Sequence, residues 1–411
     1  MKILIISPEK PYTGAESIVT GKLMKAMLDH GWDVKLVYHD TELIYRSISD
    51  TLLILKDCVG IKNRLISRFK EFAENPLLKK LLNFTDSMLW VIKALSITLK
   101  LNRKAKFDLI ISRVMPRYGH MPALLFKFCS DNSVWIANWS DPLPKIKSPQ
   151  PYGYGPEVKA GTLEMLYLKK VFKHADWHTF PSLRLLQYFK CFTPGFNDNC
   201  SVLPHIIFEQ DYEALPYDTI GWPLKLTHVG GLGLRSPVKL IEAYKRLKET
   251  GDNKVKLKFR FVGFIEKEVY DLIDNYLLHE DFSFDGVKTY EETLDAIKSS
   301  DIMLVIEAPL KEGIFLPSKV VDYLQFDKPI FSISPSSGVM NDLITEFGGG
   351  LAADCTSVDD IAEKLIYLAE NESLVKNRKD VFNTQKLKSQ FSCKNIIDEI
   401  ERIYHSQSLN N

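Results

Sequence analysis

With 411 residues, 45% of them hydrophobic, the chain is long enough to bury two cores of ordinary domain size. Its 53 Lys and Arg nearly cancel 52 Asp and Glu, and a net charge of +1 gives no reason to expect nucleic acid as a partner. Six scattered cysteines with no Cys-x-x-Cys pair speak against a disulfide frame or a zinc site and for reduced thiols in the cytoplasm.

The first stretch, KILIIS, is a continuous apolar strand of the parallel-sheet kind, too short for a signal peptide. PEKPYTGAE follows as a loop containing Gly14, then a helix from about Glu16 to His30 that stops at Gly31, and the strand WDVKLVYH. A dinucleotide-binding unit would need Gly-x-Gly-x-x-Gly in this first turn. Gly14 stands alone, which weighs against NAD.

Residues 45–106 read as the least sheet-like part of the chain. Helical patterns there carry a strong excess of Lys and Arg (KNRLISRFK, LLKKLL, LKLNRKAK), interleaved with Leu, Ile, Phe and Trp. Such a segment suits an anionic membrane surface, and equally a helix pair packed on the sheet with a basic outer face. No stretch reaches membrane-spanning length, so the expected location is cytoplasmic, with a peripheral site on the inner membrane face as the second reading.

FDLIIS and SVWIANWSDPLP are further buried strands. They place His120 and Asp141 near C-terminal strand ends, the edge of an open α/β sheet that faces ligands. A structural role competes in each case: His120 as a helix cap or packing residue, Asp141 before Pro142 as a turn residue. CSVLPHII closes the first half.

Residues 206–223, with two prolines and little periodicity, read as a linker. A second alternating series follows, LKLTHVG, GLGLRSP, VKLIEAYKRLKETG, VKLKFRFVG, FSFDG, YEETLDAIKSS, which argues a second parallel sheet. In the loop, Gly230, Gly231 and Gly233 permit close backbone approach. Arg235 and Lys239 are four apart and face one ligand if the helix begins near Ser236. The alternative is a turn with two surface cations. There is no Gly-Lys-Ser/Thr ending of the ATPase kind.

The most informative stretch is DIMLVIEAPLKEGIFLPSKVVDYLQFDKPIFSISP, residues 301–335, read as strand, loop, helix, strand. Pro317 suits a first helical turn. Ser318 and Lys319 at the helix start and Asp322 one turn later suit a nucleoside diphosphate, with phosphate at the helix start and ribose hydroxyls at the acid. An ordinary amphipathic helix with a solvated Lys319–Asp322 pair is the competing reading. GLAADCTSVDDIAEKLIYLAE adds a last strand and helix, and a final helix near 393–407 has no partner strand.

Taken in order, KILIISPEKPYTGAE, FDLIISR, WIANWSDP, VLPHI, THVGGLGLR, FVG, FDGVKTYEE and LPSKVVDYLQFDKPI resemble the GT-B glycosyltransferases, specifically the retaining family 4 group. The last block looks like the Pro-x-Lys, acid-Tyr, Lys-Pro pattern of bacterial members that build surface polysaccharides. The resemblance implies two Rossmann-like, doubly wound domains facing each other across a cleft. Residues 1–205 would bind acceptor, residues 224–392 the nucleotide sugar, and the helix from about 393 to 411 would pack back on the first domain.

By the same resemblance, Arg235, Lys239 and Lys319 hold the donor diphosphate in place of a metal, for which no Asp-x-Asp triplet is present. Asp322 holds the ribose where the family has glutamate. The family's earlier glutamate falls on Ile314, with Glu312 nearby. Gly14 lets the backbone approach donor and acceptor, and His120 and Asp141 meet sugar hydroxyls. The implied function is transfer of a hexosyl or N-acetylhexosaminyl unit, UDP-sugar favoured, to a glycan or lipid-linked acceptor, with no cofactor. The alternatives are a sugar-nucleotide epimerase or hydrolase of the same architecture, or a non-catalytic GT-B binding protein.

Overall fold

The structure is a computed structural model that describes residues 1–11, 14–40, 57–63, 66, 75–114, 117–130, 133–208, 223–249, 257–370 and 382–409. The expected linker lies almost wholly outside the described residues, as does much of the basic stretch before residue 75. The chain divides into two compact units. One comprises residues 1–148, 155–206 and 393–411, the other residues 149–154 and 207–392.

Unit 1 is built on β1 (Lys2–Ser7), α1 (Ala15–Asp29), β2 (Asp33–His39), β3 (Cys58–Ile61), α2 (Pro76–Ala105), β4 (Leu109–Arg113), α3 (Met121–Cys129), β5 (Val134–Asn138), α4 (Thr162–His174), β6 (Trp177–Phe180), α5 (Leu183–Lys190) and β7 (Cys200–Val202). Its seven parallel strands run in the order β3-β2-β1-β4-β5-β6-β7. Ile3, Leu4, Ile5 and Ile6 are all buried because β1 is an interior strand covered on both faces. The stretch expected to be least sheet-like contains β3. This four-residue edge strand alternates too little to stand out, and pairing with β2 supplies what its own sequence lacks.

Unit 2 continues with β8 (Leu224–Val229), α6 (Val238–Glu249), β9 (Leu257–Val262), α7 (Lys267–Asn275), β10 (Phe282–Gly286), α8 (Tyr290–Lys298), β11 (Ile302–Ile306), α9 (Lys319–Gln325), β12 (Ile330–Ser334), α10 (Val339–Phe347), β13 (Gly350–Asp354), α11 (Val358–Glu370) and α12 (Thr384–Ser389). Its sheet order is β10-β9-β8-β11-β12-β13, again parallel. One face packs Tyr244, Phe259, Phe261 and Ile361, the other Val305, Val320, Tyr323 and Leu324. The last helix, α13 (Cys393–Ser408), buries Ile396, Ile397, Ile400 and Ile403 at helical spacing in the core of unit 1, with Ile3, Leu23 and Trp177.

In each unit the strand order reverses direction beside the first strand, between β1 and β4 and between β8 and β11. Loops leaving these strands at their C-terminal ends flank a crevice, the usual ligand position in a doubly wound sheet.

Candidate active site

In unit 2 the β8 loop is shaped by glycines. Gly230 adopts φ +87°, and a Cβ there would lie 3.6 Å from Lys319 Nζ, so the ammonium rests against this loop. Gly263, closing β9 with φ +145°, carries the closest approach. A Cβ there would stand 2.6 Å from the Gly230 carbonyl. Gly231 is exposed, and Gly233 takes φ +58° just beyond the buried Leu232 that pins the loop.

Arg235 lies off the helix. Helix α6 begins at Val238, not near Ser236, so the four-residue spacing that was to bring Arg235 and Lys239 onto one face does not apply. Arg235 Nε instead lies 3.5 Å from Glu307 Oε1, while Lys239 is exposed and pairs with Glu242 at 2.9 Å.

Glu307 is the first residue after β11 and is buried. Burial holds its carboxyl above the ordinary range, opposed by Arg235 and Lys319. Lys319 Nζ sits 3.0 Å from His228 Nε2. His228 Nδ1 faces the Leu304 carbonyl at 3.2 Å, which can only accept, so the imidazole carries its proton on Nδ1 and Nε2 accepts from Lys319. Burial, then Lys319 and Arg235, hold His228 well below the usual histidine range. Burial and Arg235 lower Lys319 to about 7, with Glu307 pulling upward. The result is a compact group of two cations, one carboxyl and one neutral imidazole at the β8/β11 crevice.

Ser318 caps α9 in a helical conformation without a side-chain cap bond. That helix has only seven residues, so the positive end expected of it is small, and the Lys319 and Arg235 side chains carry the charge. Asp322, one turn on, is buried and accepts a 2.6 Å bond from Tyr290 Oη. Glu312 is exposed in the loop before Gly313, whose backbone pairs with the Ser337–Val339 segment.

In unit 1, Gly14 precedes α1 and donates its N–H to Ser17 Oγ at 2.7 Å. Its φ of −161° is ordinary extended backbone, and a Cβ there would make normal contact with Glu9 Oε2 at 3.7 Å. Neither the backbone conformation nor the packing within unit 1 requires glycine at this position. At the end of β4, Arg113 is buried and pairs with Glu16 at 2.9 Å. Glu9 nearby is raised by burial and by Glu16, with Arg113 opposing.

His120 is fully buried before α3. Ser112 Oγ accepts from Trp135 Nε1 at 2.8 Å and lies 2.7 Å from His120 Nδ1, and His120 Nε2 has no hydrogen-bond partner among the described residues. Burial, His178 and Arg113 keep this imidazole neutral. Asp141, beyond β5, is partly exposed.

Sequence reasoning gave no role to His228, Glu307, Tyr290 or Glu16. Glu307 had a readable signal, an acid ending an apolar strand. His228 had none, because a histidine inside a strand says nothing of what faces it.

Residues 228–386, most of unit 2, match the family described as Glycosyl transferases group 1. No curated protein sequence matches the chain. Among solved structures, the chain resembles a sucrose-phosphate synthase from Thermosynechococcus elongatus at 13% identity and TM-score 0.66, covering all of both chains. A glycosyltransferase from Rickettsia africae is similar at 13% identity and TM-score 0.66, covering 100% of this chain and 99% of that one. A pneumococcal O-GlcNAc transferase in complex with UDP and GlcNAc is similar at 10% identity and TM-score 0.62, with 99% of each chain covered. The fold is that of the GT-B class, two parallel-sheet Rossmann-like domains, and the group 1 glycosyltransferase match falls within unit 2.

Proposed function

We propose that the protein is a retaining glycosyltransferase that moves a sugar from a nucleoside-diphosphate donor, UDP-sugar favoured, to a glycan or lipid-linked acceptor in surface-polysaccharide synthesis. The observation that carries this reading is the convergence of Arg235 and Lys319 at the β8/β11 crevice, inside the segment that matches group 1 glycosyltransferases.

Breaking the bond between the anomeric carbon and the diphosphate leaves negative charge on the leaving oxygen. Arg235 and Lys319 stabilise that charge as it forms. The acceptor oxygen bonds to the anomeric carbon, its proton passes to the leaving phosphate oxygen, and nucleoside diphosphate is released. Asp322, held by Tyr290, accepts from ribose hydroxyls. His120, neutral and with an unpartnered buried Nε2, serves a sugar hydroxyl rather than a phosphate. On this reading the two cations do the work of a metal, so chelator leaves turnover unchanged.

Titration with UDP- and GDP-sugars tests the reading. At least one binds and is consumed only when acceptor is present. Sugar-nucleotide turnover without acceptor points to the epimerase or hydrolase, and absence of any binding ends the proposal.

A further inference from the structure

Helix α2 carries a surface that the transfer site does not use. Residues Asp86, Trp90, Val91, Ala94 and Thr98 are buried and hold the helix to unit 1, where Asn63 Nδ2 donates to Asp86 Oδ1 at 2.6 Å and Lys93 Nζ donates to Asn63 Oδ1 at 2.6 Å. On another face, Leu77, Leu81, Phe84 and Ile92 are 76%, 60%, 62% and 61% exposed among the described residues. With Met88 between them they step by four, three, four and four, which makes one stripe, about 22 Å long at 1.5 Å per residue. A helix whose opposite side is anchored holds this stripe out at a real cost in exposed apolar area, and that cost calls for an occupant.

The charges name it. Between residues 76 and 105 the chain has six cations, Lys79, Lys80, Lys93, Lys100, Arg103 and Lys104, and one acid, the buried Asp86. All six cations are exposed: Lys79 and Lys80 at the N-terminal end of the apolar stripe, Lys100, Arg103 and Lys104 about two to three turns beyond its other end, and Lys93, which is tied to Asn63, between them. We infer that α2 lies along an anionic lipid surface, with Leu77, Leu81, Phe84 and Ile92 in the acyl boundary and the lysines and arginine among the headgroups. A second copy of the chain fits less well. Two-fold pairing of this helix would set its cations against each other with no exposed acid on the helix to answer them. None of the described helices is long and apolar enough to cross a membrane, so this contact lies on the surface. It does not depend on the reaction assigned to unit 2.

The test uses the full chain and sedimentation with two kinds of vesicle, pure phosphatidylcholine and phosphatidylcholine with about one-third phosphatidylglycerol. The chain sediments with the anionic vesicles at least about tenfold more strongly than with the neutral ones, and high salt weakens the difference. Leu81→Glu with Phe84→Glu lowers binding by at least about tenfold with an unchanged melting temperature. Lys79→Gln with Lys80→Gln, which touches no packed residue, lowers it by about fivefold per charge and serves even if the first variant fails to fold. Absence of binding to anionic vesicles, or binding unmoved by the lysine variant, overturns the inference. So does a dimer that Leu81→Glu/Phe84→Glu splits while vesicle binding persists, which would assign the stripe to a second copy.

Discussion

The two units share one feature of the fold, a reversal of strand order beside the first strand, and gather different charged groups around it. At the β8/β11 crevice, Arg235 and Lys319 outnumber Glu307, and Lys319 is crowded down to about 7. At the β1/β4 crevice, Arg113 pairs with Glu16 beside Glu9, Glu9 is raised, and His120 is kept neutral. A doubly wound sheet fixes where ligand sits and leaves its sign to a few side chains. On the proposed reading the cations receive a diphosphate, and the carboxylates and neutral imidazole receive hydroxyls.

The sharpest way to break that comparison is to remove one group from each side. Lys319→Ala takes away a cation at the leaving oxygen and lowers kcat by about a hundred- to a thousandfold. His120→Ala leaves UDP affinity within about twofold while lowering transfer. Removing its ring leaves Ser112 Oγ short of a partner, at about 1–3 kcal/mol of stability. Steady-state kinetics beside calorimetric UDP binding separates the two, and equal losses of UDP affinity in both variants would refute the division of roles.

Acidity gives the next effect. Lys319 is lowered from 10.5 to about 7, so in the free protein it loses its proton as pH rises through 7. Over the window from about 7 to 10.5 the unfolded chain binds more protons, and the lysine's effect on stability improves as pH rises. Diphosphate binding works in the other direction, because an anion favours the ammonium. Affinity for UDP falls by up to about tenfold per pH unit above 7, and binding takes up a proton. Calorimetry in buffers of different ionisation enthalpy measures that proton. The Lys319→Ala variant takes up none.

Glu307→Gln sharpens the same point. The carboxylate is the one charge that pulls Lys319 upward, so its loss moves the onset of the affinity decline to lower pH. It also removes a negative neighbour of the incoming diphosphate, so UDP binds several-fold more tightly near pH 6, while kcat falls because Arg235 loses its partner. An unmoved pH profile would show that Glu307 does not govern the lysine.

Much of this was legible in advance, and unevenly. Strands such as Lys2–Ser7 and Ile302–Ile306 announce themselves because burial on both faces demands an unbroken apolar run. The place of Lys319 and Asp322 in the first turn of a helix was readable because strand, loop and helix follow each other in sequence. Partners that meet only through the fold were not readable. His228 and Lys319 are 91 residues apart, Tyr290 and Asp322 are 32 apart, and no local pattern couples them. Edge strand Cys58–Ile61 was hidden because pairing, not periodicity, makes it a strand.

Lys239 gives the smallest effect and isolates one step of the reasoning. Its spacing from Arg235 matters only if both lie on one helix, and α6 begins three residues after the arginine. In the free protein Lys239 is exposed and paired with Glu242 one turn along, an arrangement that contributes about 0–1 kcal/mol to stability. Lys319 owes its shift to burial, Arg235 and Glu307, and Lys239 is not among the causes. Lys239→Ala should therefore cost donor turnover less than about tenfold, an order of magnitude or more below Lys319→Ala. A loss as large as that of Lys319→Ala would mean that Lys239 leaves Glu242 for the diphosphate when donor binds, and would restore it to the group that carries the leaving charge.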